Sequence, residues 1–504
     1  MFSIMIPRRV GLVLPAALAL VVVTLPTATA VAPPYEPVTI DDPVVVGEAG
    51  DLNLYGLEVG PRTIAWGGGL HAGPVPSPSP SPSPSTAPGE DLGAAVAQSG
   101  AQMRSRLYTP DLGKAALSLG DMTTAPVVAA IDAATTDEWA VGFDPLGPSY
   151  VLRVRHQGGP EMAAELATDD FGPGSGSVAI WGDMALVGPN LVDLDTLESV
   201  DLGTLDECIA GENAVLADGL LLVQGLCEGG QTFATEVPED GLDLESLDSL
   251  DWDVVLDFQP DLMAYSRGLL VFADSKMGLY GYLRLDDPDA EPWAATIPAG
   301  IDALRVQGHR YVVVAARDGD VVAGVFEEGG EAPVAVVPLD GGLGMAPVLF
   351  DEGAAATAAV VIPRDESSEM NLDGIAIDLY GRTLAWSDGE DVFAATLPPL
   401  AGGAVTSTAP ATGKAGAPVA VTAAGLQPGE EVAVWLESDP VLLTLGRAAA
   451  DGTFAASVTL PAGTAAGTHS LTVHGVESGW TSVRSIALAA AATGNPGLRV
   501  DTGR

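Results

Sequence analysis

Lysine is nearly missing from this 504-residue chain: Lys114, Lys276 and Lys414 are all there is. Basic residues number 21 against 67 acidic ones, a formal net charge of −46. A field of that sign repels phosphate backbones and anionic lipid headgroups, which argues against nucleic-acid and membrane-surface binding. It suits solubility outside the cell, and beyond that capture of cations or cationic partners. Histidine is also scarce. His71, His156, His309, His469 and His474 are scattered, with no HExxH pattern and no i, i+4 pair, so a zinc site is not expected. His474 alternates outward with Thr472 on its strand and reads as solvated. Aromatic residues make up 5% of the chain, few for a sugar-stacking platform. The sequence holds no GxSxG elbow, no Walker glycine loop and no GxGxxG opening a helix.

Long apolar runs are absent except one. "VGLVLPAALALVVVTL" follows Arg8 and Arg9 and precedes small residues at Ala28 and Ala30. It falls short of the roughly 20 residues a spanning helix needs, and the layout is that of a secretory signal peptide, residues 1–30. No cysteine follows it for a lipid anchor. Export is expected, with no transmembrane segment in the mature chain and a location outside the cell, loosely surface-associated at most. In that compartment the two cysteines, Cys208 and Cys227, form one disulfide.

What is abundant is short apolar strands broken by glycine and acid. "ALRVQGHRYVVVAARDGDVVAGVFEEGGEAPVAVVPL", Ala303 to Leu339, reads as four strands separated by turn residues. Looser versions begin at "SVAIWGDMALVG", "AVLADGLLLVQG" and "DLMAYSRGLLVF", at a period of about 40 residues. Two copies of one strand stand far apart: "GPRTIAW" ends at Trp66 and "YGRTLAW" at Trp386. Gly56 aligns with Gly374, Arg62 with Arg382, and Trp66 with Trp386.

These repeats resemble the β-propeller superfamily over about residues 44 to 400. The resemblance implies about seven blades in a domain spanning 31–402. A ring leaves no edge unpaired only if its ends meet, so the strands carrying Arg62, Trp66, Arg382 and Trp386 are expected in the same or adjacent blades, closing it. The Pro-Ser segment at 74–89 then becomes a solvated loop inside the domain. Trp66 and Trp386 are expected to pack between blades. The resemblance brings no functional residues, because no WD, kelch or aspartate-box signature is present.

After Leu400 a second all-β unit begins, spanning 403–490 and followed by a tail at 491–504 expected to be disordered. Val432, Val434 and Leu436 share one face, and Phe454, Val458 and Leu460 line another strand's inner side. Pro428-Gly429 fits a type II turn and Asp451-Gly452 a two-residue hairpin turn. The unit is similar to the immunoglobulin-like modules of bacterial surface proteins, on "GLQPGEEVAVWLES" and "ADGTFAASVTLPAGTAAGTHSLTVHG".

The one dense acidic run, "PEDGLDLESLDSLDWDVVLD", has the oxygens calcium prefers but neither the DxDxDG order nor its distant glutamate. It reads as a solvated connection, and no cofactor or metal is expected, calcium being the one ion the carboxylates would suit. No residue is singled out as catalytic. The reading is a non-enzymatic binding or scaffold protein that recognises an extracellular protein or glycan through a propeller face. The alternative is a propeller glycoside hydrolase or lyase acting on extracellular polysaccharide, since paired carboxylates are defined in space and not in sequence.

Overall fold

The structure, a computed structural model, describes residues 38–39, 43–48, 52–70, 102–109, 117–122, 132–135, 139–146, 149–156, 161–167, 178–188, 190–202, 214–225, 230–238, 241–242, 244, 252–274, 278–297, 300–317, 320–330, 332–339, 376–388, 390–437 and 440–489. Among these there is no α-helix. The signal-peptide region, the Pro-Ser segment and the tail lie outside the described residues, as do Cys208, Cys227 and most of the acidic run.

Among the described residues seven small sheets precede a two-sheet sandwich. In the first, strands Leu52–Val59, Thr63–Leu70, Gln102–Thr109 and Ser118–Met122 follow one another as an antiparallel meander. The second to fifth sheets repeat the plan, opening at Asp132, Val178, Ala214 and Leu262. The sixth consists of Gly300–Gln307, Arg310–Arg317, Asp320–Glu327 and Ala335–Pro338, with Val38–Thr39 added in parallel at its outer edge. The seventh has three strands of its own, Ile377–Tyr380, Thr383–Ser387 and Asp391–Thr396. Its fourth is Val44–Glu48, taken from the start of the chain. The first strand of each sheet touches the first strand of the next, and that of the seventh touches that of the first.

Local chemistry explains the repeated hairpin between first and second strands. A two-residue type I′ turn needs positive φ at both positions. Asp218-Gly219 (47° and 79°) and Arg267-Gly268 (43° and 84°) supply it. The second strands are apolar without alternation because both of their faces are covered. In Leu269–Asp274, Leu269, Val271 and Ala273 pack toward the sixth sheet, while Leu270 and Phe272 pack toward the fourth. Met184 and Leu186 likewise face the fourth sheet, and Ala185 and Val187 the second. The core of this region is therefore a series of separate layers between neighbouring sheets. Burying a single such side chain is worth about 1.5–3 kcal/mol.

The sandwich packs a three-stranded sheet (Thr406–Thr408, Pro418–Ala424, Thr453–Thr459) on a five-stranded one. The second runs Thr412–Lys414, Thr481–Ala489, Gly467–Gly475, Glu431–Leu436 and Val441–Arg447 in spatial order. Val432, Val434, Leu436, Phe454, Val458 and Leu460 share one buried cluster between them. Gly429 has the positive φ, 72°, of a type II turn. The hairpin expected at Asp451-Gly452 does not form. Only Gly452 has positive φ, and the strands on either side, Val441–Arg447 and Thr453–Thr459, belong to different sheets. That turn carries the chain across the sandwich.

Candidate functional site

The four turns at Asp218-Gly219, Arg267-Gly268, Gly308-His309 and Gly381-Arg382 join first and second strands in the fourth to seventh sheets. All four lie against the sandwich, Gly308 beside the carboxylate of Glu477. Arg267 forms an ion pair with Glu477 and donates from Nη1 to the Pro428 carbonyl (3.2 Å). Arg447 reaches Asp218 at 3.2 Å, and the other Asp218 oxygen accepts from Ser266 Oγ and the Arg267 amide. Tyr380, beside the Gly381 turn, donates its hydroxyl to Glu431 at 2.6 Å. Gly381 is required there: a Cβ would sit 2.5 Å from the Val476 carbonyl oxygen, and its φ is 59°. The connection between the two parts is held as well. Trp480 Nε1 donates to the Leu400 carbonyl (2.9 Å), and the Leu400 amide to the Ser478 carbonyl (2.8 Å).

Burial sets the electrostatics of this seam. It lowers Arg267 and Arg310 to about 10. Arg310 is 1% exposed, donates to the Pro398 carbonyl at 2.7 Å and lies 3.4 Å from Glu327. Inside the sandwich Glu430 is raised by burial, against the N–H groups of Gln427 and Ser478 that hold its charge. Just outside the seam His309 Nδ1 lies 2.5 Å from Glu328, which also meets Arg284. Burial pushes the Glu328 carboxyl upward, and the histidine bond and Arg284 outweigh it, leaving it below the usual range.

A small cleft opens where the seventh sheet meets the sandwich, lined among others by Pro61, Tyr380, Arg382, Trp435 and His474. The expectation of a solvated His474 is overturned here. Its residual exposure is 2% and that of Thr472 is 0%, because the outer face of their sheet is covered and, at His474, packs on the seventh sheet. Burial, with the positive charge of Arg382, depresses His474 to about 3, and its Nδ1 has no hydrogen-bond partner among the described residues.

The repeated strands lie in touching sheets, Thr63–Leu70 in the first and Thr383–Ser387 in the seventh. Trp66 and Trp386 are each 1% exposed. Trp66 packs among Val46, Ile64, Tyr108 and Val392, between the first and seventh sheets. Trp386 packs between the sixth and seventh, stacked on Phe393, with its N–H to the Leu339 carbonyl. Arg62 is exposed, whereas Arg382 lines the cleft and donates from Nε to the Leu397 carbonyl at 2.5 Å. The seam had one sequence signal that composition hid: Ala433 and Trp435 are apolar on the face that should point to water. Among the described residues no three His, Cys, Asp or Glu side chains converge as metal ligands. No helix among them is long and apolar enough to cross a membrane.

Comparison with known proteins places residues 401–488 in a macroglobulin-like domain, an immunoglobulin-like unit. No curated protein matches the chain. Among solved structures it is similar to Kluyveromyces lactis Hsv2, at 12% identity over 45% of this chain and 69% of that one (TM-score 0.33). It is similar also to a superoxide reductase (neelaredoxin) from Ignicoccus hospitalis, at 18% identity over 17% of this chain and 80% of that one (TM-score 0.14). A third is a tetra-tandem repeat in the extending region of a large adhesion protein, at 12% identity over 78% and 96% (TM-score 0.16). Likenesses this distant carry no functional argument.

Proposed function

We propose that the seven sheets are the blades of one β-propeller and that the chain is exported to act as a non-enzymatic binding scaffold outside the cell. The cyclic order of first-strand contacts supports the propeller, as does the completion of the seventh sheet by Val44–Glu48. Export rests on the leader layout of residues 1–30, and it gives Cys208 and Cys227 a compartment in which to pair. The charge of −46 suits a soluble extracellular body that avoids nucleic acid and anionic lipid.

The observation that carries the functional reading is the seat of the macroglobulin-like domain. Arg267, Asp218 and Tyr380 meet Glu477, Arg447 and Glu431, and Leu400 is pinned by Ser478 and Trp480. A module held this way is part of one rigid recognition body and not a free spacer. Rigid presentation lowers the ordering cost of binding an extracellular protein or glycan. The test is expression with its leader in a secreting host, followed by glycan and surface-protein binding arrays and assays for glycan cleavage. Mature chain in the medium starting at Val31, with saturable binding and no turnover, is the expected result. Retention in the cytosol with an intact N-terminus overturns the location. Glycan cleavage abolished by replacing one carboxylate overturns the scaffold.

A further inference from the structure

Besides its role as a fixed seat, the seam has the parts of a latch. The link between the domains is divided at Pro399. On one side, the carbonyls of Leu397 and Pro398 accept from Arg382 and Arg310, which belong to the seventh and sixth sheets. On the other, both backbone groups of Leu400 are bonded to the sandwich, at Ser478 and Trp480. A rigid-body opening that keeps both sets must turn about the Pro399 ψ and Leu400 φ torsions, because the ring fixes the Pro399 φ. Closed, the seam leaves polar atoms without hydrogen-bond partners among the described residues: His474 Nδ1 and Trp435 Nε1 beside the cleft, and Nε and Nη1 of Arg310 close by. Such orphaned groups each regain water on opening, which narrows the gap between the two states.

We propose that the macroglobulin-like domain is a pH-released latch, seated on the turns of the fourth to seventh sheets at neutral pH and lifted when His474 takes up a proton. The charged groups around His474 set the sense of the switch. Arg382 faces it across the seam and opposes a second positive charge. On the neighbouring strand Glu431 is engaged by the Tyr380 hydroxyl, and Glu477, just past the end of the histidine's own strand, is engaged by Arg267. Arg62, next to Pro61 at the cleft rim, adds positive charge from the first sheet. Closed, the histidine titrates at about 3. Open and hydrated, it returns to about 6.5. The closed state binds fewer protons, so its advantage is full above about pH 6.5 and falls as pH drops toward 3. Between pH 7.5 and pH 5 the open fraction should rise about thirty-fold. Glu430 keeps its bonds to Gln427 and Ser478 on opening, because they lie within the sandwich. It loses the Arg267 charge that favours its ionised form across the closed seam, a change in the same sense as that of His474.

The experiment uses the full mature chain carrying Thr383→Cys, a position buried at the cleft on the seventh sheet. Its labelling by an acid-competent disulfide reagent is measured at pH 7.5 and pH 5, each relative to the urea-unfolded chain. Ala185→Cys, buried in the third sheet away from the seam, reports unfolding. A rise of about thirty-fold at position 383, with none at 185 and none at 383 when His474→Gln is added, is the expected result. Less than a threefold rise at 383, equal rises at both positions, or a rise that survives His474→Gln overturns the latch. Small-angle scattering gives a check independent of the labelling. A clamp joining Asp218→Cys to Arg447→Cys through a cleavable bifunctional thiol reagent, long enough to replace the arginine arm, should keep the linked chain as compact at pH 5 as at pH 7.5, with expansion only after cleavage. Expansion of the linked chain, or none after cleavage, overturns it too.

Discussion

Gly47 offers a sharp test of how the first and seventh sheets are joined. It sits on Val44–Glu48, in the irregular stretch of the pairing with Asp391–Thr396. A Cβ added at Gly47 would lie 2.7 Å from Cζ2 and 2.9 Å from Cη2 of Trp66. Carbon contacts settle at about 3.5–4.0 Å, so roughly 1 Å must be found. The indole has no room to yield it, being 1% exposed and enclosed by Val46, Val59, Ile64, Tyr108, Val392 and Ala394. The strand could instead lift away, forfeiting its ladder and the buried Val46, alone worth about 1.5–3 kcal/mol. The cheaper response is local strain, about 1–3 kcal/mol for an overpacked core. Gly47→Ala should therefore lower urea-unfolding stability by about 2 kcal/mol, although alanine is otherwise harmless in this strand. Trp66→Phe removes the atoms that clash. In that background Gly47→Ala should cost less than about 0.5 kcal/mol, leaving a coupling above about 1 kcal/mol in the cycle. A silent Gly47→Ala, or the same penalty in both backgrounds, would show that the strand does not pack on Trp66 and would refute the reasoning.

Asp378 of the seventh sheet accepts the Val59 amide of the first at 2.7 Å, so Asp378→Ala should cost about 1–3 kcal/mol by stranding that donor. Burial raises this carboxyl, against Arg305 and the backbone N–H groups; its contribution is full below the unfolded pKa and is lost as pH rises through the folded one. Asp378→Asn keeps an acceptor and cannot ionise, so unfolding curves should show it gaining on wild type between pH 3 and pH 7; a constant difference contradicts the shift. At the seam, the Arg267 and Glu477 side chains are 11% and 6% exposed. Arg267→Ala should cost about 3–5 kcal/mol by leaving Glu477 buried and unpaired, and Arg267→Met with Glu477→Leu should recover most of it; equal losses in the single and double variants would deny the pair.

The sheets were legible because their information is local. Asp218-Gly219 and Arg267-Gly268 announce their turns within two residues, and runs such as "LLVF" announce strands covered on both faces. The macroglobulin-like unit was legible in the alternation of Val432, Val434 and Leu436 against Phe454 and Leu460. Two readings failed where the deciding information is distant. Asp451-Gly452 has hairpin chemistry, yet whether its flanking strands pair depends on which sheet each joins. His474 does face away from its own sandwich core, as its alternation says. What covers it is assembled from turns at Gly381 and neighbouring sheets, about ninety residues upstream in the nearest case, and no window of sequence contains both. Alternation identifies the outward face of a domain; it does not say that the face meets water.

The twin strands show the same division between what is written locally and what is set by place. Both copies spell a tight turn, a threonine, an aliphatic residue, alanine and tryptophan, and both become second strands: Trp66 pairs across from Leu57, Trp386 from Ile377. Beyond the sheet their fates separate. Trp66 lies against the glycine of a strand borrowed from the chain's start, whereas Trp386 lies against Phe393 and the sixth sheet. Arg62 stays in solvent, and Arg382 is drawn beneath the sandwich, where it holds Leu397 and sets the charge that His474 meets. The motif therefore encodes a sheet and not a site. Arg382 acquired its role because its turn is one of those the macroglobulin-like domain covers, and Arg62, on a turn at the rim, did not.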